Sequence, residues 1–371
     1  FVAGWLLLAD PQVAAFAHYL WPEVLHLVLF LAAVRALAWV EERSSGGPGA
    51  GEGEDGAKAA PFAKVALGLA AASLALGLAL QAKSLLLPFL PLLLLPVLRG
   101  GARRAAVRIA VVLAVIAATS APALVANHRA GYGWTLPDSS RFNLWVGLND
   151  TSRRNLVGEI VGTEYERYRA SAPALPERNA ILGGKISALA AREGIGRLAA
   201  RQLARQPFRL FDRESFLTDQ LPGGAIVAQG YGYSSVPIPV AAGLRVWGIA
   251  VYAALLLLAL VGLARGRAAW SPRGARWRPV WLAFLAYNLL LFLALHVKTR
   301  YRIQMLPALD LFAAFGCAGL WEGVPLSKRA RWSVALAALL LAALAFGGPW
   351  LDERWPQAPL APVSGPGGSL K

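Results

Sequence analysis

The chain alternates long apolar runs with short polar breaks. Runs at 23–41, 62–82, 84–98, 106–127, 243–264, 279–296, 303–321 and 332–348 approach the length of about 20 residues that a helix needs to cross a bilayer core. They predict membrane-spanning helices. The run 84–98 is short and holds Pro88, Pro91 and Pro96, so a kinked helix is expected there, with freed carbonyls that need protein neighbours. Before the first run, Asp10-Pro11 and the amphiphilic stretch 12–20 predict a short interfacial helix that breaks near Pro22. A long polar stretch, 128–242, is large enough for a small domain. Within it, Ile181, Ile186, Leu189, Ile195, Leu198 and Leu203 recur at helical spacing with Arg between them, which predicts one helix over 177–210 ended by Pro207. Residues 142–149 (FNLWVGLN) read as a strand or extended segment that turns at Asn149-Asp150. The Gly-rich linker 44–60 and the tail 349–371 read as disordered.

Composition agrees with a polytopic, all-α membrane protein: 57% of the residues are hydrophobic, 16% are charged, and the mean hydropathy is +0.49. The net charge of +16 raises nucleic acid as a partner. The charges, however, are scattered through loops with no aromatic-interleaved basic face, so membrane orientation and anionic lipid account for them better. Arg and Lys concentrate at 99–108, 265–278 and 328–331, and the positive-inside rule puts these loops in the cytoplasm. It follows that 10–22, 82–84, 128–242, 297–302 and 349–371 lie outside. The expected organisation is therefore transmembrane helices over 1–127, an extracytoplasmic domain over 128–242, transmembrane helices over 243–348 and a tail. The expected location is a bacterial inner membrane. The single cysteine, Cys317, excludes an intrachain disulfide. His18, His26, His128 and His296 lack zinc spacing, so no ligand cluster supports a divalent metal and no cofactor is assigned.

Candidate chemistry gathers at the outer edge. Residues 296–302 (HVKTRYR) place His296, Lys298, Arg300 and Arg302 between two apolar runs, where charge is costly unless an anion meets it. A lipid phosphate suits them, because the guanidinium fork makes two charge-assisted hydrogen bonds. A basic turn anchored in headgroups fits the segment equally well. Lys83 sits in another outer turn, where an interfacial anchor is the simpler reading. Glu23 follows Pro22 and suits a helix's first turn as well as a site. His18 reads as a surface histidine, and Tyr301 and the tryptophans read as interfacial aromatics. Asn149-Asp150-Thr151 matches a glycosylation sequon, but the turn reading is preferred.

In order and sidedness the segments resemble the GT-C type integral-membrane glycosyltransferases, the bacterial relatives of protein mannosyltransferases and aminoarabinose transferases. WPEVLHLVLFLAAVRAL (21–37) is similar to a family segment with an acidic residue at the outer start of a helix. GLALQAKSLLLPFLPLLLL (77–95) is similar to its Gly-Leu-Ala helix end, basic turn and Pro- and Leu-rich helix. RFNLWVGLND (141–150) resembles the motif that opens the large outer loop, and RYRIQMLPAL (300–309) resembles the family's Arg-Tyr-Arg motif. The resemblance implies transfer of a sugar from a polyprenyl-phosphate donor to a lipid, glycan or protein acceptor outside the membrane, as part of cell-envelope chemistry. It implies donor-phosphate binding by Lys83 and Arg300, with Arg302 and His296 as neighbouring candidates, and an outer-loop motif at Asn149 and Asp150.

The chain also departs from the family pattern. Leu148 and Asp150 replace the Asn and Pro of the loop motif, and the Pro after Arg-Tyr-Arg is displaced to Pro307. The family's catalytic acid stands in its first outer loop. Residues 1–9 read as the outer end of a helix, so the chain is expected to be a C-terminal portion with that acid upstream of Phe1. Asp10 is a poor substitute, and Glu23 is a candidate second acidic participant. Two other readings stay open: a flippase or transporter of a lipid-linked saccharide, which would favour inverted repeats and midplane charges, and a non-catalytic scaffold for envelope assembly.

Overall fold

The computed structural model describes residues 2–11, 13, 15, 22–44, 62–98, 101–136, 140–149, 163–213, 215–224, 227, 232–266, 270–271, 274–295 and 299–354. The linker expected to be disordered lies almost wholly outside them, as do most of 12–20, His18, Asp150, His296, Lys298 and the tail beyond Arg354. All regular secondary structure among the described residues is helical.

In chain order the α-helices are α1 (Val2–Ala9), α2 (Pro22–Ser44), α3 (Phe62–Ala82), α4 (Leu90–Leu94), α5 (Ala102–Arg129), α6 (Ser140–Asn149) and α7 (Thr163–Ala170). They continue as α8 (Leu175–Glu193), α9 (Ile195–Leu210), α10 (Phe216–Gln220), α11 (Ile238–Ala264), α12 (Arg278–Ala294), α13 (Leu306–Trp321) and α14 (Lys328–Arg354). Among the described residues, six helices are long and apolar enough to cross a membrane: Pro22–Ser44, Ala63–Ala82, Ala102–Arg129, Ile238–Ala264, Gly274–Ala294 and Lys328–Gly348. Ser84–Leu98 and Leu306–Trp321 are shorter apolar helices. The three prolines break 84–98 as expected, into a 3-10 helix (Ser84–Phe89), α4 and a second 3-10 helix (Leu95–Leu98).

Two groups of helices build the bundle. In the first, α3 packs between α2 and α5; Gly68 lies under Trp39 and Gly77 against Thr119, where a Cβ would come within 2.5 Å and 2.9 Å. In the second, α11 and α13 touch backbone to backbone. A Cβ on Gly262 would stand 1.9 Å from the Phe312 carbonyl oxygen, and one on Gly316 would stand 2.1 Å from that of Leu258. Small residues permit this approach, and dispersion contacts reward it where lipid supplies no hydrophobic drive. Helix α12 joins the groups: Phe284 stacks on Phe30 of α2 at 4.8 Å and meets Phe89 edge-on at 5.3 Å. The Tyr287 hydroxyl donates to the Leu85 carbonyl. Exposed Trp332, Leu336, Leu339 and Leu340 on α14 leave an apolar outer surface that suits lipid.

The stretch between α5 and α11 folds over one end of this bundle and differs from the sequence reading in three respects. Residues 142–149 are the helix α6 rather than a strand, because Phe142 and Val146, one turn apart, bury together with Tyr168 and Leu182. The expected helix 177–210 is two helices. It breaks at Gly194, whose φ of 84° favours glycine, and resumes to Leu210 with Pro207 inside its last turn. Helix α14 runs on through Pro349 to Arg354, into the expected tail.

Candidate functional site

Helix α2 carries a buried carboxylate at each end. Pro22 opens the helix and Glu23 follows in its first turn, where the helix dipole favours an anion. Its buried face then runs His26, Leu27, Phe30, Ala33, Val34, Leu37, Val40 and Glu41. Glu23 and Glu41 are separated by about five turns of 3.6 residues, so they share that face, roughly 27 Å apart at 1.5 Å per residue.

Near Glu23, α3 ends at Ala82 and Lys83 takes an extended conformation (φ −151°, ψ 115°) before the 3-10 turn. That break aims the Lys83 side chain sideways. Its Nζ lies 3.0 Å from Glu23 Oε1 and 5.3 Å from the centroid of the Tyr301 ring. The two side chains are only 14% and 5% exposed, so the pair is weakly screened by solvent. Glu23 Oε2 is buried with no hydrogen-bond partner among the described residues. One turn further on, His26 Nδ1 is 3.0 Å from the Ala79 carbonyl oxygen. A carbonyl only accepts, so Nδ1 carries the proton, and the contact fixes α2 against α3 at the level of the ion pair.

Above the pair is a cavity of about 710 Å³, within the range of small-molecule sites. Its floor is Glu23, Lys83, Ser84 and Tyr301. Its roof comes from the end of α5, with Asn127, and from the loop region, with Tyr132, Asn143, Tyr165, Tyr168, Arg169 and Arg178. The end of α5 shapes the entry to that roof, where Asn127 Nδ2 donates to the Thr135 carbonyl at 2.7 Å and His128 stacks on Trp134 at 4.3 Å. Tyr168 donates its hydroxyl to Asn179 Oδ1 at 2.8 Å, which anchors α7 to α8. Among the described residues no three His, Cys, Asp or Glu side chains converge as metal ligands.

The sequence candidates therefore separate. Glu23, Lys83 and the Arg-Tyr-Arg turn come together at one end of the bundle, roofed by the loop region. Arg300 stands in the 3-10 turn Thr299–Gln304 beside Tyr301. Arg302 is placed elsewhere: it is 2% exposed, donates to the Asp212 carbonyl and lies 4.3 Å from the centroid of Tyr252. A 3-10 turn rotates about 120° per residue, so Tyr301 and its neighbour Arg302 point different ways. Asn149 ends α6, whose last carbonyls are fastened to α9: Gln202 Nε2 donates to Gly147 at 2.7 Å and Arg201 to Leu148. Those contacts secure the loop region, and Arg302 does not line the cavity. Sequence reasoning missed the roof and took Tyr301 for an interfacial anchor. The segment TEYERYRA (163–170), with its interleaved tyrosines and arginines, was the available signal.

The opposite end of α2 has the same chemistry in a different setting. Glu41, 3% exposed on its side chain, pairs with Arg276, and Arg108 bonds the Val97 carbonyl and the Ser44 hydroxyl close by. The cavity above Glu23 does not reach either residue of this pair. Comparison of the chain with protein-family models, with curated proteins and with solved structures gave no match.

Proposed function

We propose that the protein is a membrane glycosyltransferase of the GT-C kind, which moves a sugar from a polyprenyl-phosphate donor to an acceptor at the extracytoplasmic face of a bacterial inner membrane. The observation that carries this reading is the Glu23–Lys83 pair on the floor of a sizeable cavity at the junction of bundle and loop region. A donor of this kind has an apolar tail and an anionic head. The apolar exterior of the bundle suits the tail, and Lys83 suits the phosphate, with Arg300 added by the family resemblance alone. The orientation that puts the cavity outside rests on the Arg-rich loops at the other end.

In the reaction, an acceptor hydroxyl attacks the sugar's anomeric carbon and the bond to the phosphate oxygen breaks. The hydroxyl proton passes to a carboxylate, the acid that the resemblance expects in a first outer loop; Glu23, with an oxygen unpartnered among the described residues, is the second acidic participant. The polyprenyl phosphate leaves with its charge met by Lys83, a role that strengthens as the bond breaks. Transfer of radiolabel from polyprenyl-phosphate sugars by the protein in nanodiscs tests the reading. Wild-type protein is expected to turn over at least one such donor. Failure of every donor, together with no binding of undecaprenyl phosphate, would overturn it.

A further inference from the structure

The floor of the cavity accounts for one anionic group. The roof is built for another. Among the described residues that line the cavity, Glu23 is the only carboxylate, whereas Lys83, Arg169 and Arg178 are cations. Once Lys83 is matched with Glu23, the charges of Arg169 and Arg178 stand in excess.

Arg178 is held in position. Its guanidinium carbon lies 5.7 Å from the centroid of the Tyr132 ring and 5.4 Å from that of Tyr168. Its Nε is buried with no hydrogen-bond partner among the described residues. Tyr132 is tied back through its backbone N–H to the Asn127 carbonyl at 2.9 Å, and Tyr168 through its hydroxyl to Asn179. Arg169 sits 6.0 Å from the centroid of Tyr165. A fixed guanidinium loses little freedom on binding and presents a fork to a carboxylate or phosphate. The tyrosine rings beside it offer flat apolar faces with polar edges, which suits a sugar ring.

We infer that the Arg178–Arg169 roof is a second subsite, for a sugar that carries its own phosphate or carboxylate, and that the reactant meeting it is anionic rather than neutral. This rests on the donor reading above, in that the floor is left to the lipid phosphate. The arrangement divides the cavity by chemistry. A lipid-linked phosphate engages Lys83 at the membrane edge, and the charged sugar engages the loop region.

The test uses the full chain in nanodiscs, with saturation-transfer NMR on glucose 1-phosphate, glucuronate and glucose, and phosphorus-31 line broadening to read inorganic phosphate. Undecaprenyl phosphate binding is measured in parallel. Glucose 1-phosphate and glucuronate are expected to show ring-proton saturation, with glucose much weaker. Arg178→Gln should weaken both charged sugars about tenfold or more, as loss of a charge-assisted bond requires. Arg169→Gln should weaken them less, and Arg178→Lys should not restore full affinity, since a point charge lacks the fork. Lys83→Gln should show the opposite pattern: undecaprenyl phosphate lost, most charged-sugar binding kept. Equal saturation of glucose and its phosphate would overturn the inference. So would unchanged binding in both arginine variants, or inorganic phosphate binding without any sugar signal. Charged-sugar binding that depends on Arg178 while undecaprenyl phosphate fails to bind would instead overturn the donor reading alone.

Discussion

The two ends of α2 present nearly the same pair of charges and differ in everything around them. Glu23 meets Lys83, and Glu41 meets Arg276; both glutamates are buried on one helix face. At the Glu41 end the buried carboxylate pairs with Arg276, and the cavity does not reach the pair. At the Glu23 end one carboxylate oxygen has no partner among the described residues, beneath about 710 Å³ of space. An ion pair alone therefore identifies nothing. A pair whose charges are already satisfied clamps helices, and a pair with spare bonding capacity facing a cavity can exchange partners with a ligand.

The largest expected effect breaks the Glu23 end. Lys83→Gln should lower sugar transfer on the order of 100-fold or more, because the lost charge acts on the leaving phosphate. Its thermal unfolding midpoint should stay near wild type, since Glu23 can then be solvated from the cavity. A rate within threefold of wild type, measured at subsaturating donor, would remove Lys83 from the site.

Arg302→Gln comes next and separates struts from ligands among the basic residues of one turn. It should cost about 1.5–3 kcal/mol of stability by removing the guanidinium's bond to the Asp212 carbonyl and its contact with the Tyr252 face, with donor KM unchanged per folded molecule. A raised donor KM with unaltered unfolding would return Arg302 to the donor site.

At the other end of α2, Arg276→Gln leaves a buried Glu41 without its partner. Arg276 is about one-third exposed, so the loss should be smaller than for a fully buried pair, about 1–3 kcal/mol in unfolding, with transfer intact. The smallest effect sharpens the Lys83 environment. Tyr301→Leu removes the ring under the ammonium and should weaken donor binding roughly two- to fivefold, as loss of one cation–π contact of about 0.5–1 kcal/mol implies.

Much of this was readable from residue order. Hydropathy placed the long helices, and the prolines of 84–98 broke that segment where expected, because a bilayer leaves few ways to satisfy a backbone. Charge bias and motif order brought Glu23, Lys83 and the Arg-Tyr-Arg turn to one end of the bundle. The loop region was less legible. FNLWVGLN has no strong period over so short a run, and tertiary burial of Phe142 and Val146 chose the helix. The glycine at 194 sat inside a continuous apolar rhythm that masked the break. The roof joins Tyr132, Tyr168 and Arg178 to Lys83 across long stretches of chain, and no local pattern encodes such a meeting. Arg302 shows the converse: composition records a charge but not the direction in which a 3-10 turn points it.

The most direct measurement compares Lys83→Gln with Arg276→Gln in the same preparation, reading undecaprenyl phosphate affinity and the thermal unfolding midpoint together. The account predicts a crossed result: Lys83→Gln loses affinity by tenfold or more, on the order of one charge-assisted contact, and keeps its midpoint, while Arg276→Gln keeps affinity and melts earlier. Equal losses of affinity in the two variants, or a lowered midpoint with unchanged affinity in Lys83→Gln, would contradict it.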